Sequence, residues 1–194
     1  METQTANITP GKVIFIGKHG SGKTTLINSF LEKHISPNAT LGVENQTIDV
    51  PYCNQIIHLS VWDSGDSIEF NTVLPCYIQS SQVAVLVFDQ TDPETFSELK
   101  RWYEHVQTFE IPNILIIANK KDLPEVVPIQ EVQQWCHERK LRLIRTSAKN
   151  DANVSNLFLS IAKLVVVDKS IPSSSYQKEN EIINRSPQSH CLLL

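Results

Sequence analysis

The stretch Lys12–Leu26, KVIFIGKHGSGKTTL, decides the fold. It runs from an apolar segment, Val13–Ile16, through Gly17-Lys18-His19-Gly20-Ser21-Gly22-Lys23-Thr24. It then enters Thr24–Lys33, where Leu26, Ile27, Phe30 and Leu31 recur at helical spacing. The octapeptide fits GxxxxGK followed by Ser or Thr, set between a strand and a helix, which is the context a phosphate cradle requires. Glycines let backbone amides curl around a β-phosphate, and a helix N-terminus adds a favourable dipole. Lys23 is expected to reach the β- and γ-phosphates and the Thr24 hydroxyl to ligate Mg²⁺. Gly17, His19, Gly20, Ser21, Gly22 and Thr25 complete the nucleotide contacts expected of this segment. The loop predicts a nucleoside triphosphate site and leaves the base open.

Downstream, apolar runs at Ile56–Trp62, Val83–Phe88, Ile114–Ala118 and Leu141–Arg145 read as further strands. Their continuous apolar character, rather than alternation, marks strands buried on both faces. Helical spacing fills the intervals at Pro93–Phe109, Ile129–Arg139 and Val154–Val167, and Asp92-Pro93 supplies a capping start. Val43–Val50 reads as a weaker edge strand forming a hairpin with 56–62. The alternation predicts an α/β fold of P-loop NTPase type, doubly wound, with a mostly parallel six-stranded sheet flanked by helices.

The totals set bounds on this reading. A chain of 194 residues with 41% hydrophobic and 20% charged content suits one globular domain, here 1–167, followed by a flexible tail at 168–194. A net charge of -4 argues against nucleic acid as a partner. The four cysteines lack CxxC or metal-ligand spacing, which predicts reduced thiols in a cytoplasmic setting. No apolar run approaches the length of a membrane span.

The base is read further along. Asn119-Lys120-Lys121-Asp122 follows the strand NILIIA, where a ligand loop at a carboxyl end belongs. Asp122 can accept from both guanine N1–H and the exocyclic amine, a donor pair that adenine lacks. Asn119 is expected to tie this loop to the phosphate loop, and the Lys120 stem to cover the ring face. Thr146-Ser147-Ala148-Lys149 follows the last strand, and its amides are placed to hold guanine O6. A P-loop kinase using ATP is disfavoured by this guanine chemistry.

GKHGSGKT, WDSG, NKKD and TSAK, in this order and at these separations, resemble a Ras-superfamily small GTPase over roughly Lys12 to Val167. Thr40-Leu41-Gly42-Val43-Glu44, Trp62-Asp63 and VFDQTD at 87–92 resemble the Rab branch most. The resemblance implies a GTP/GDP switch with Mg²⁺, in which Thr40 ligates the metal and senses the γ-phosphate. Asp63 holds the metal through water, and loss of the γ-phosphate releases both switches. It also implies effectors, exchange factors and activating factors meeting residues 34–45 and 63–79, and a role in vesicle trafficking.

Departures from the family pattern stand out in both switches. The interval from Lys23 to Thr40 is about two residues short of the Rab pattern, and no aromatic clearly occupies the position that stacks on guanine. His34 or Ile35 lies nearest, while Phe30 reads as core. In the second switch, the usual WDTAGQE becomes WDSGDSI. Aligned without a gap, Asp66 replaces the Gly that meets the γ-phosphate and Ser67 the Gln that orients the attacking water; a local gap would make Gly65 that Gly and still supply no Gln. Ser is too short for that task, so no catalytic residue is assigned and weak intrinsic hydrolysis is expected. The bulk of His19 is placed to obstruct an incoming arginine finger.

The chain ends Ser189-His190-Cys191-Leu192-Leu193-Leu194, which fits a prenylation box at Cys191, with the terminal Leu favouring geranylgeranyl. Lys178 and Arg185 are balanced by Glu179 and Glu181, so no polybasic second signal supports the lipid. The expectation is reversible, peripheral attachment to the cytosolic face of a membrane. Two functions remain open: a cycling GTPase switch, or a hydrolysis-deficient GTP-bound scaffold that recruits effectors.

Overall fold

A computed structural model of the chain describes residues 8–32, 42–65 and 75–170. Thr40, His34, Ile35, Asp66, Ser67 and Cys191 lie outside the described residues, as does the tail beyond Ser170.

The strands are β1 (Ile8–Ile16), β2 (Val43–Tyr52), β3 (Gln55–Ser64), β4 (Val83–Asp89), β5 (Asn113–Asn119) and β6 (Arg142–Arg145). The helices are α1 (Lys23–Phe30), α2 (Pro93–Gln107), α3 (Ile129–Glu138) and α4 (Val154–Ser170). One six-stranded sheet has the order β2-β3-β1-β4-β5-β6. Only β2 and β3 pair antiparallel; every other neighbour is parallel. The doubly wound architecture predicted from the sequence is the one observed.

Successive residues of β1 face opposite sides, and the two cores divide accordingly. Val13 and Phe15 join Leu26 and Ile27 of α1 and Leu157, Phe158 and Ile161 of α4. Ile14 and Ile16 join Phe96 and Leu99 of α2 and Val132 of α3. All seven residues of β4 are buried, which is why its sequence shows no alternation. Each such apolar side chain contributes roughly 1.5–3 kcal/mol on burial.

The β2–β3 hairpin turns at Cys53 and Asn54, both at positive φ (45° and 58°), the conformation a two-residue turn demands. Strand β1 starts at Ile8, earlier than its apolar run suggests. Pro10 and Gly11 read locally as loop, yet Ile8–Lys12 pair with Ile56–Ser60 of β3. The ladder to β4 begins only at Val13, so the N–H that Pro10 lacks is not needed on that side. Helix α1 ends at Phe30, before the expected Lys33, and Glu32 adopts a positive φ of 53°.

The parallel strands all point their carboxyl ends to one edge of the sheet. The chain winds in opposite directions from β1 and β4, which are neighbours, and the crevice outside them is the topological switch point.

Candidate functional site

Four segments at that edge carry the residues singled out: the phosphate loop after β1, the end of β3, and the loops after β5 and β6. The phosphate loop is shaped by close approaches. A Cβ on Gly17 would lie 2.1 Å from the Val87 carbonyl oxygen, and one on Gly22 would lie 2.3 Å from Asn119 Nδ2. Gly22 also takes a left-handed conformation, φ 92°, as the residue before α1.

Helix α1 carries no side-chain cap and no acidic residue in its first turn. Helix α2 differs: Asp92 accepts from the Glu94 amide at 2.9 Å, and Glu94 adds negative charge. Helix termini leave amides that need acceptors, and the N-terminal dipole favours an anion. Of these two N-termini, that of α1 is the one suited to phosphate.

Lys23 is 6% exposed, and its Nζ donates to the Gly17 carbonyl at 2.7 Å and the Lys18 carbonyl at 3.3 Å. It lies folded over its own loop. The Thr24 hydroxyl donates to Asp63 Oδ2 at 2.5 Å, which brings the expected metal-side hydroxyl and carboxylate together from α1 and β3. Oxygen donors of this kind suit Mg²⁺, so the residues present fit that ion. Thr40, the third expected metal-side residue, is outside the described residues.

On the base side, Asn119 Nδ2 donates to the Ser21 carbonyl at 2.9 Å, and Asn119 Oδ1 accepts from Thr146 Oγ1 at 3.1 Å. One buried side chain thereby links the phosphate loop, β5 and the loop after β6. Ser147 Oγ donates to Asp122 Oδ1 at 2.6 Å. That bond, chiefly, holds the Asp122 carboxyl below the usual carboxylate range, with Lys149 and Lys120 adding to it. The ionised form is the one that accepts two hydrogen bonds from a paired donor edge.

A cleft of about 190 Å³ opens here, lined by Gly22, Thr25, Asn119, Lys120, Asp122, Leu123, Ala148 and Lys149. It is smaller than the roughly 300–1,000 Å³ of clefts that enclose a drug-sized ligand, and it suits a planar ring system with the remainder of a ligand outside. Seven of these residues are among those singled out from sequence; Leu123, 43% exposed, is not. An apolar residue between Asp122 and Pro124 is the signal the sequence offers. Lys120 lines the cleft with its Nζ held by Asp89 Oδ2 at 2.6 Å.

Lys18, in the phosphate loop, takes no part in the cleft. It turns away from α1 and pairs with Glu94 at 2.7 Å and Glu98 at 3.9 Å on α2. The Glu94 hydrogen bond raises its pKa. Phe30 stacks on Phe158 at 4.1 Å, so it belongs to the core, as its helical face suggests.

Comparison with known proteins follows the same lines. The Ras family model matches residues 12–167. The chain is 32% identical over 169 residues to Ras-related protein Rab-22A of Homo sapiens, covering 84% of this chain and 87% of that protein. It is 30% identical over 159 residues to Ras-related protein SEC4 of Saccharomyces cerevisiae, covering 79% and 74%. Against Ras-related protein Rab-31 of Rattus norvegicus the identity is 30% over 160 residues, covering 79% and 82%.

Proposed function

The chain belongs to the Ras family of GTPases, and from that premise we propose that it is a Rab-like switch in vesicle traffic whose intrinsic hydrolysis is slow. Family membership makes it a GTP-hydrolysing enzyme and implies guanine-nucleotide binding. The observation that carries the base assignment is the pairing of Ser147 with Asp122 beside the Asn119–Ser21 link. Together these put an ionised acceptor at a fixed distance from the phosphate loop.

In this reading Asp122 accepts from guanine N1–H and the exocyclic amine, while Ser147, Ala148 and Lys149 frame O6. Asn119 fixes the spacing between base and phosphates. Lys23 exchanges its loop carbonyls for β- and γ-phosphate oxygens, and the amides opening α1 receive the same anion. Thr24, Asp63 and Thr40 would hold Mg²⁺, which neutralises phosphoryl charge when bound. Hydrolysis converts GTP and water to GDP and phosphate, and positioning dominates such a reaction. Ser67 in the place of Gln leaves the attacking water poorly oriented, and the Asp66 carboxylate adds like charge near the γ-phosphate.

A second reading rests on those same two residues: a long-lived GTP-bound platform that recruits effectors through 34–45 and 63–79. Cys191, geranylgeranylated, would attach either form to the cytosolic face of a membrane. Single-turnover hydrolysis of Mg²⁺·GTP by wild type and by Asp66→Gly/Ser67→Gln separates the readings. A slow wild type that turns over measurably and is accelerated by the double substitution supports the switch. A wild type that is inert and co-purifies with GTP supports the platform. Absence of micromolar guanine-nucleotide binding overturns both.

A further inference from the structure

Behind the base cleft, the ends of β4, β5 and β6 are joined by a polar assembly that touches none of the residues assigned to the nucleotide through its own charged groups. Gln90 is 1% exposed and at the centre. Its amide donates to the Asn119 carbonyl at 3.1 Å, and its carbonyl accepts from the Val126 and Val127 amides at 3.0 and 2.9 Å. Its side-chain Nε2 donates to the Leu123 carbonyl at 3.2 Å, and its Oε1 accepts from Arg145 Nη2 at 2.8 Å. The same Nη2 donates to Glu125 Oε2 at 2.8 Å, and Glu125 Oε1 accepts from the Ile129 amide, the first of α3, at 2.9 Å. Asn153 Nδ2 holds the Arg145 carbonyl at 2.8 Å.

Resting on the guanine-nucleotide reading above, we propose that Arg145, with Gln90 and Glu125, is a positioning residue for base recognition, bracing the loop that carries Asp122 against the loop that carries Ser147. The connectivity supports this in both directions. Leu123, gripped through Gln90, is the chain neighbour of Asp122. Arg145 stands two residues before Ser147, the donor that fixes the Asp122 carboxylate. A shift between the two loops would lengthen the 2.6 Å Ser147–Asp122 bond and tilt the carboxylate away from a paired donor edge.

Stability alone does not account for the arrangement. Arg145 Nε is buried without a hydrogen-bond partner, which costs free energy. The ion pair itself is partly solvent-exposed, a setting in which such pairs contribute little to folding. What Arg145 Nη2 supplies is registration: one nitrogen donates to Gln90, which follows β4, and to Glu125, in the loop after β5, while its own backbone ends β6.

The test compares release of GDP and of inosine diphosphate, which lacks the exocyclic amine, from full-length protein. Wild type should retain GDP longer than inosine diphosphate. Arg145→Ala is expected to speed GDP release about tenfold, the size of losing one hydrogen bond with a charged donor. It should speed release of inosine diphosphate much less, so the ratio between the two narrows. Arg145→Lys keeps a single nitrogen donor and should restore most of the ratio. Glu125→Ala, which leaves Arg145 in place, should narrow the ratio in the same sense and serves if Arg145→Ala does not fold. Equal acceleration for both nucleotides, or no change in either variant, would overturn the inference while leaving guanine binding intact. Failure of wild type to bind GDP would instead remove the functional reading, and this inference with it.

Discussion

Ser147 donates to Asp122 at 2.6 Å, and this bond orients the carboxylate assigned to guanine and favours its charged form. The Asp122 pKa is lowered in the folded protein, so its contribution is fully present above the ordinary carboxylate value of about 4. It is lost as pH falls through the lowered pKa. Ser147→Ala removes the largest cause of the lowering, and the acid limb of GDP affinity should move upward. At neutral pH the same change should weaken GDP about tenfold, the worth of a hydrogen bond to a charged group. Fluorescence titration of a labelled GDP from pH 7 down through pH 3 would read both effects, and a superimposable profile would refute the assignment. Gly22→Ala probes the neighbouring contact. Its Cβ would meet Asn119 Nδ2 at 2.3 Å while the backbone sits at φ 92°. The left-handed conformation alone costs roughly 1–2 kcal/mol for a residue with a Cβ. Urea denaturation should show at least that loss, and the Asn119–Ser21 link should fail with it.

Helix α4 is the element on which one face of the sheet depends. Phe158 is fully buried, stacked on Phe30 at 4.1 Å and close to Phe15 at 6.1 Å. Phe158→Ala is expected to cost about 3–5 kcal/mol, since the cavity cannot collapse among strands buried on both faces. Phe30→Leu tests a different point. Because Phe30 faces this core, the substitution should lower stability modestly and leave GDP affinity within about twofold. A large loss of affinity without a matching loss of stability would instead make Phe30 the guanine-stacking aromatic that the sequence otherwise lacks.

Thiol labelling reports on the molecule as a cooperative unit. Cys53 and Cys76 are exposed, whereas Cys136 is buried and its thiol is pushed up to about 12, chiefly by burial. Alkylation near neutral pH should modify the first two promptly and Cys136 only through opening of the fold, because the thiolate is the reactive form. Ligand bound only to the folded state stabilises it by about 2.7 kcal/mol at one hundred times Kd. GDP at that level should therefore slow Cys136 labelling about a hundredfold. Unchanged labelling under GDP would argue that α3 opens independently of the nucleotide site.

The amino-acid sequence by itself determined the sheet, its winding and most of the cleft. The reason is that phosphate loop, NKKD and TSAK each follow a strand directly, so a local pattern fixes which edge they occupy. Burial on both faces made β4 and β5 legible as continuous apolar runs. What only the tertiary structure decided are the relations between chain segments far apart in sequence. Ile8–Lys12 become strand because β3 offers them a ladder, against the local preference of Pro10 and Gly11. Lys18 leaves the phosphate side because Glu94 and Glu98 lie across from it on α2. Gln90, Glu125 and Arg145 meet because three parallel strands end side by side. No periodicity encodes those encounters, since each depends on which carbonyls and charges the finished sheet brings within 3 Å or so of one another.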